Sequence, residues 1–262
     1  MHLTSLVEGI TNYGNPFHIA VRRLIGRNGE MWIADRASGV RVRATVRSYQ
    51  MFGETWYLRD YDISSCPIRE DDVIIDIGAN QGFFSCYAAS KGAYVHAFEP
   101  FVESYTRLKA NIEINSFSSR IAASQVAVSP NSGRSLLYSS PQLGGGANTL
   151  VEEFGKNLDQ VEANEVETKT LDDILDEIAS PVRLCKMDCE GSELGILGAL
   201  KSASRVESFA IEFHPRGRFV QDLISVILGW GTHQVSFGRA NTWMIYAVRT
   251  DTLLEYSKRF NR

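Results

Sequence analysis

The sequence predicts an α/β fold: a mostly parallel seven-stranded sheet, finished by a terminal antiparallel hairpin and preceded by a small N-terminal β-rich cap. Three observations carry this expectation. From residue 72 onward, apolar runs of strand length alternate with helical patterns, as in parallel strands joined by right-handed crossovers. The last two strand-like runs, 234–237 and 242–248, are separated only by Gly238-Arg239-Ala240-Asn241, which suits a hairpin. Residues 1–65 lack the alternation and show short β-like runs at 19–24, 31–34, 40–46 and 55–58, broken by turns containing glycine. We read 1–65 as a mostly antiparallel cap, a substrate or oligomer region, and 66–262 as the α/β body. A chain of 262 residues, 44% hydrophobic, can bury a full core, and its length suits one such domain with an appended piece better than two equal ones.

The body opens with Val73-Ile74-Ile75-Asp76-Ile77, whose consecutive apolar residues suit a central strand covered on both faces. It runs into Gly78-Ala79-Asn80-Gln81-Gly82, a turn that opens a helix over 83–91 with Gly92 as its C-cap. Gly78 and Gly82 permit backbone conformations that a Cβ resists. A dinucleotide-binding G-x-G-x-x-G starting at Gly78 needs glycines where Asn80 and Phe83 stand. The second of those glycines lets backbone touch a pyrophosphate, so its replacement points to a nucleoside cofactor without one, S-adenosylmethionine (SAM). The next strand, in AYVHAFEP, closes on Glu99, seventeen positions after Gly82. One ionised carboxylate there can accept both hydroxyls of a ribose.

A helix over 102–115 follows, with Tyr105, Leu108 and Ile112 on one face, then a third strand at 122–128 and a turn at SPNSG. Three consecutive glycines at 144–146 make 139–149 a loop, either a linker or a lid. A helix over 171–178 has Thr170 as N-cap and Pro181 beyond its end. The fourth strand, 182–187, ends in Asp188-Cys189-Glu190-Gly191-Ser192-Glu193. Open α/β sheets bind ligands outside the carboxyl ends of their strands, so Asp188 and Glu190 belong with Gly78 and Glu99. Glu193 fits equally well as an acid favoured by a helix dipole. The fifth strand, 208–213, brings Glu212 and His214 to the same edge, and an amphipathic helix follows at 218–228.

Composition excludes several classes. No window approaches the ~18 apolar residues of a membrane span, and MHLTSLVEGITNYGNPF lacks the basic flank and apolar core of a signal peptide, so a cytoplasmic protein without a membrane partner is expected. A net charge of −4 argues against nucleic acid as a partner. Locally, seven arginines between Arg22 and Arg47 face only Glu30 and Asp35. They line the wet face of a strand or attract an anionic partner. Cys66, Cys86, Cys185 and Cys189 show no C-x-x-C pairing, against a disulfide framework or structural zinc, and Cys86 and Cys185 read as small buried hydrophobes.

VIIDIGANQGFFS (73–85), HAFEP (96–100) and KMDCEGSELGILGAL (186–200), with TKTLDDIL (168–175) as a weaker fourth, make the chain resemble the FkbM family of SAM-dependent methyltransferases. Of these, K-x-D-x-E-G-x-E comes nearest to being diagnostic. The resemblance implies a Rossmann-like class I methyltransferase fold and O-methylation of a hydroxyl on a sugar, glycan or other small-molecule acceptor. A homo-oligomer is an open option. Under this reading Asp76 orients the methionine amino group through the turn, Gly78 and Gly82 admit the methionyl portion, Asn80 adds a hydrogen bond and Glu99 holds the ribose. Adenine is expected near the end of the third strand, where the sequence around Ala127 has no acid to mark it.

Methyl transfer is an in-line displacement, and an alcohol needs a general base or a metal to lose its proton. His214, with an ordinary pKa of ~6.5, is the first choice of base, with Asp188, Glu190 and Glu212 beside it. A histidine capping the strand end is the alternative. A Mg²⁺ site of Asp188, Glu190, Glu212 and His214 resembles that of catechol methyltransferases, but is less favoured because Glu-Phe-His replaces the expected Asp-Asn. The competing function classes are an NAD-dependent oxidoreductase and a catalytically inactive SAM-binding module.

Overall fold

The computed structural model describes residues 30–45, 48–140, 148–156, 160–215, 219–238 and 243–260. The expected strand at 19–24, the glycine run at 144–146 and the hairpin tip at 239–242 lie outside them. Glu30–Ala34 (β1) and Arg41–Thr45 (β2) pair antiparallel and lead into a helix at Tyr49–Gly53 (α1), which continues as a π-helical turn over Glu54–Leu58. The body then runs Val73–Ile77 (β3), Phe83–Ser90 (α2), Tyr94–Phe98 (β4), Val102–Ile114 (α3) and Ile121–Ser124 (β5). Ala127–Val128 (β6), Gly133–Ser139 (β7) and Glu162–Lys169 (β8) make a second, three-stranded sheet, with Glu152–Gly155 (α4) between β7 and β8. Leu171–Glu177 (α5), Leu184–Met187 (β9), Glu193–Ala199 (α6) and Ser208–Glu212 (β10) follow. Val220–Gly229 (α7), His233–Phe237 (β11), Met244–Arg249 (β12) and Thr250–Phe260 (α8) complete the described chain.

The main sheet has seven strands in the order β5-β4-β3-β9-β10-β12-β11. The pairs from β5 to β10 are parallel, whereas β12 runs antiparallel to both β10 and β11. This is the expected Rossmann-like class I arrangement, with its terminal antiparallel pair. Alternation along β3 builds the two layers. Ile74 joins a core with Phe84 and Cys86 of α2 and Leu108 and Ile112 of α3, while Ile75 and Ile77 join Leu175, Leu197 and Leu223 on the other face. Thr170 and Asp173 form the capping box that starts α5. The carboxyl ends of β3, β4, β9 and β10 therefore open on one edge.

The segment before residue 65 packs into that first core through Val42, Ala44, Phe52 and Trp56. Two asparagines of α3 tie down the backbone of β2. Asn111 Oδ1 accepts from Arg43 N at 2.7 Å and its Nδ2 donates to Arg43 O at 3.2 Å, while Asn115 does the same at Arg41, at 2.8 and 2.6 Å. The spacing works because four residues of helix rise ~6 Å and two residues of strand ~6.6 Å.

Two expectations are corrected. Residues 55–58, rich in β-forming types, are π-helical: Trp56 stacks on Phe52 one turn earlier at 5.4 Å and meets Tyr87 edge-on at 5.1 Å, contacts that helical spacing provides. The run 122–128 is not one strand, because β5 ends at Ser124 in the main sheet and Ala127–Val128 pairs with β8 in the other. Alternation says that a segment is extended but not which sheet takes it. The strands β7 and β8 and helix α8 had no sequence expectation; β8, EANEVETK, is largely polar and is held by antiparallel pairing along the whole of β7. The four cysteines are free thiols, with Cys86 and Cys185 fully buried. Among the described residues no helix is long and apolar enough to cross a membrane.

Candidate active site

At the end of β3 the chain breaks at Gly78, with φ of 71°. A Cβ there would lie 1.9 Å from the Asp188 carbonyl oxygen, so only glycine lets the turn rest on the end of β9. The N–H groups of Gly78 and Ala79 both donate to Phe98 O at 3.0 Å, which ties the turn to β4. Asn80 takes φ of 49°, a left-handed value asparagine tolerates, and its N–H donates to Glu99 Oε2 at 2.8 Å. Glu99 Oε1 accepts from Phe101 N–H at 2.9 Å. Burial pushes the Glu99 carboxyl up to about 7, against the pull of these two backbone bonds. Gly82 has φ of 82° at the start of α2, and its absent Cβ would meet Leu108 Cδ1 at 2.4 Å, so it serves the packing of α2 on α3.

Asp76 is fully buried. It accepts from Ser85 Oγ at 2.6 Å and pairs with Lys186 Nζ at 3.2 Å. Lys186 also donates to Gly78 O at 2.7 Å and lies 3.7 Å from Asp188. Burial works to lower the Lys186 pKa, but the Asp76 and Asp188 charges outweigh it and hold the ammonium above its ordinary value. A buried charge must be paired, and here the pairing staples the glycine turn to β9. Asp76 thus reaches the site through Lys186 and the turn.

Asp188 and Glu190 follow β9, and Glu212 and His214 come from β10 and its end. Tyr61, from before the body, donates its hydroxyl to Glu212 Oε2 at 2.9 Å and lies 3.3 Å from Asp188 Oδ2. Burial, with the nearby Asp188 charge, pushes the Glu212 carboxyl up to about 7. His214 Nδ1 donates to Glu193 Oε1 at 3.0 Å, and its Nε2 faces Asp188 at 3.9 Å and Glu190 at 3.7 Å. Burial alone would lower the imidazole pKa; the Glu193 hydrogen bond and the Glu190, Glu193 and Asp188 charges prevail and raise it to about 9. Glu193 Oε1 also accepts from Cys189 N and Gly191 N at 3.1 Å each, so it shapes the turn that carries Glu190, at φ of 53°.

Gly78, Asn80, Glu99, Asp188 and Glu190 line one cleft, together with Ala127, Val128, Leu137, Asn148 and Leu150. Asp76, Gly82, Glu212 and His214 are not part of that lining. Two residues of the cluster, Lys186 and Tyr61, escaped the sequence reading, and a third, Glu193, was left open by it. Lys186 had a signal, a charge inside the apolar strand LCKM, which must have a buried partner. Glu193, which read equally well as a helix-dipole acid, is fully buried and accepts from His214 Nδ1. Tyr61 had no local signal. Donor atoms of Asp188, Glu190 and His214 lie within 4.8 Å of one another, close enough to hold a cation.

A family model described as the methyltransferase FkbM domain matches residues 76–249. Methyltransferase sdnD of Sordaria araneosa is 30% identical over 195 residues, covering 64% of this chain and 74% of that protein. Hexuronic acid methyltransferase AglP of Haloferax volcanii is 29% identical over 185 residues, 68% of this chain and 72% of that one. The 31-O-demethyl-FK506 methyltransferase FkbM of Streptomyces tacrolimicus is 28% identical over 211 residues, with coverages of 70% and 79%. The family match begins at the buried aspartate of β3 and ends with the last residue of β12, so it takes in both sides of the cleft, and this chain belongs to the FkbM methyltransferase family.

Proposed function

We propose that this protein is a SAM-dependent O-methyltransferase whose acceptor is a hydroxyl of a sugar, glycan or other hydroxylated small molecule. One observation carries the reading: Glu99 and Asp188 line a single cleft, on the two strands that flank β3 and its glycine turn. A carboxylate suited to a ribose and one suited to an acceptor proton thus share one space. The substrates for which two relatives are named, hexuronic acid and 31-O-demethyl-FK506, support a sugar or other small-molecule acceptor, and the second supports an oxygen.

SAM, when bound, supplies the electrophilic methyl group, and the remaining work falls to the chain. Glu99 accepts from the ribose hydroxyls, and the backbone from Gly78 to Asn80 lies against the cofactor. Asp188 takes the proton of the acceptor hydroxyl, with Glu212 sharing charge through the Tyr61 hydroxyl. His214, the base expected from its ordinary pKa, is held charged by three carboxylates, so we assign it the role of a cation that offsets their repulsion. Residues 30–65 belong to the working enzyme, because Tyr61 comes from them.

A metal-assisted variant has its own support. Glu193 fixes Nδ1 of His214 and leaves Nε2 towards Asp188 and Glu190, as metal-ligating imidazoles are commonly held. A divalent ion on these three would lower the pKa of the acceptor hydroxyl. One imidazole with two carboxylates suits Mn²⁺ better than Mg²⁺, which favours an all-oxygen shell. Calorimetric titration with SAM, then transfer of labelled methyl to a panel of sugars, tests the main reading, and no binding at millimolar SAM would sink it. Activity unchanged by EDTA keeps the carboxylate base. Activity lost with EDTA and restored by Mn²⁺ replaces it with the metal.

A further inference from the structure

One side chain in the cleft has no part in the chemistry above. Both amide atoms of Asn148 are buried, and neither has a hydrogen-bond partner among the described residues. Buried polar side-chain atoms are bonded in the great majority of cases, so an amide with both ends unmet calls for a partner that the described chain does not supply. Asn148 lines the same cleft as Glu99, among the apolar side chains of Val128, Leu137 and Leu150. The backbone beside it is anchored. Thr149 exchanges two backbone hydrogen bonds of 2.9 Å with Tyr138, and its hydroxyl donates to Glu190 O at 2.8 Å.

Apolar walls with one donor and one acceptor at a fixed position match a flat heteroaromatic ring, whose faces are apolar and whose edge is polar. We propose that Asn148 recognises the adenine edge of the cofactor, an assignment that rests on the reading of this cleft as a SAM site. Oδ1 accepts from the 6-amino group and Nδ2 donates to the adjacent ring nitrogen, the two-point pairing by which asparagine reads adenine in nucleic acids. Ala127, where the sequence offered no acid to mark the base, lines the same cleft. The marker is an amide that follows β7 in the chain. Glu99 and Asn148 then hold ribose and base from two different sheets, and both are required to fix the methyl group against Asp188.

The test is calorimetric binding of S-adenosylhomocysteine and of its analogue with hydrogen in place of the 6-amino group. Wild-type protein is expected to bind the adenine compound about tenfold more tightly than the analogue. Asn148→Leu should weaken both compounds, the adenine compound about tenfold more than the analogue, so the discrimination disappears. Asn148→Asp, of the same size, covers the case in which the leucine variant does not fold. It should weaken S-adenosylhomocysteine about tenfold, because a carboxylate oxygen then faces a ring-nitrogen lone pair. Discrimination kept in the folded leucine variant, or affinity for S-adenosylhomocysteine within twofold of wild type in either folded variant, overturns the assignment and leaves the SAM reading standing. Wild-type protein that binds neither compound overturns both.

Discussion

On the β4 side of the cleft the backbone makes the binding surface, whereas on the β10 side charged side chains make it by holding one another. Glu99 is fixed by two backbone N–H groups from residues within twenty positions of it, and Gly78 matters because of the atom it lacks. Asp188 and Glu212 are held by Lys186 of β9, by His214 beyond β10 and by Tyr61, more than a hundred residues away in the chain. The first side is preformed by local geometry. The second exists only while every buried charge keeps its partner, because an unpaired one costs several kcal/mol. If this division is right, cofactor affinity and methyl transfer should separate under mutation.

The largest separation is expected at Asp188. Asp188→Asn should lower the rate of methyl transfer by about 10²–10⁴-fold while S-adenosylhomocysteine affinity stays within threefold. A matching loss of affinity would merge the two sides. Lys186→Met leaves Asp76 buried without its charge partner and should destabilise the protein by about 3–5 kcal/mol in urea unfolding. Under about 1 kcal/mol, the staple between the glycine turn and β9 is held by something else. At Glu99 the sign follows from ionisation: in the proposed complex ribose hydroxyls donate to the carboxylate, whose pKa is raised to about 7. Wild-type affinity for S-adenosylhomocysteine should therefore rise about tenfold from pH 6 to pH 8, and Glu99→Gln should be weaker and flat over that range. The smallest effect is expected from Tyr61→Phe, a loss of about 1–2 kcal/mol in stability and a several-fold loss in rate, with cofactor affinity unchanged. Weakened cofactor binding in that variant would draw the N-terminal segment into the first side as well.

The legible parts were those where one residue type solves a local problem. The apolar run of β3 and the turn from Gly78 to Gly82 could be read because few residues other than glycine accept those backbone angles. Glu99 could be read because a strand end followed by Pro100 leaves its position in the fold unambiguous. The Thr170 N-cap and the terminal hairpin were visible for the same reason. Residues 55–58 were misread because aromatic and β-branched types favour strands, and only Phe52 and Tyr87 make a helix the better packing for Trp56. At 122–128, pairing with a distant strand, β8, decided where one strand ended and another began.

The sequence by itself determined the main sheet and the glycine turn between β3 and α2, since both follow from periodicity and from steric limits that act within a few residues. Tertiary structure alone decided the acid side. The partners of Lys186, Glu193, Glu212 and His214 come together only once the sheet is ordered β4-β3-β9-β10 and Tyr61 has packed against it. Coulomb and hydrogen-bond interactions depend on distance in space, and distance in space is what a single sequence does not display.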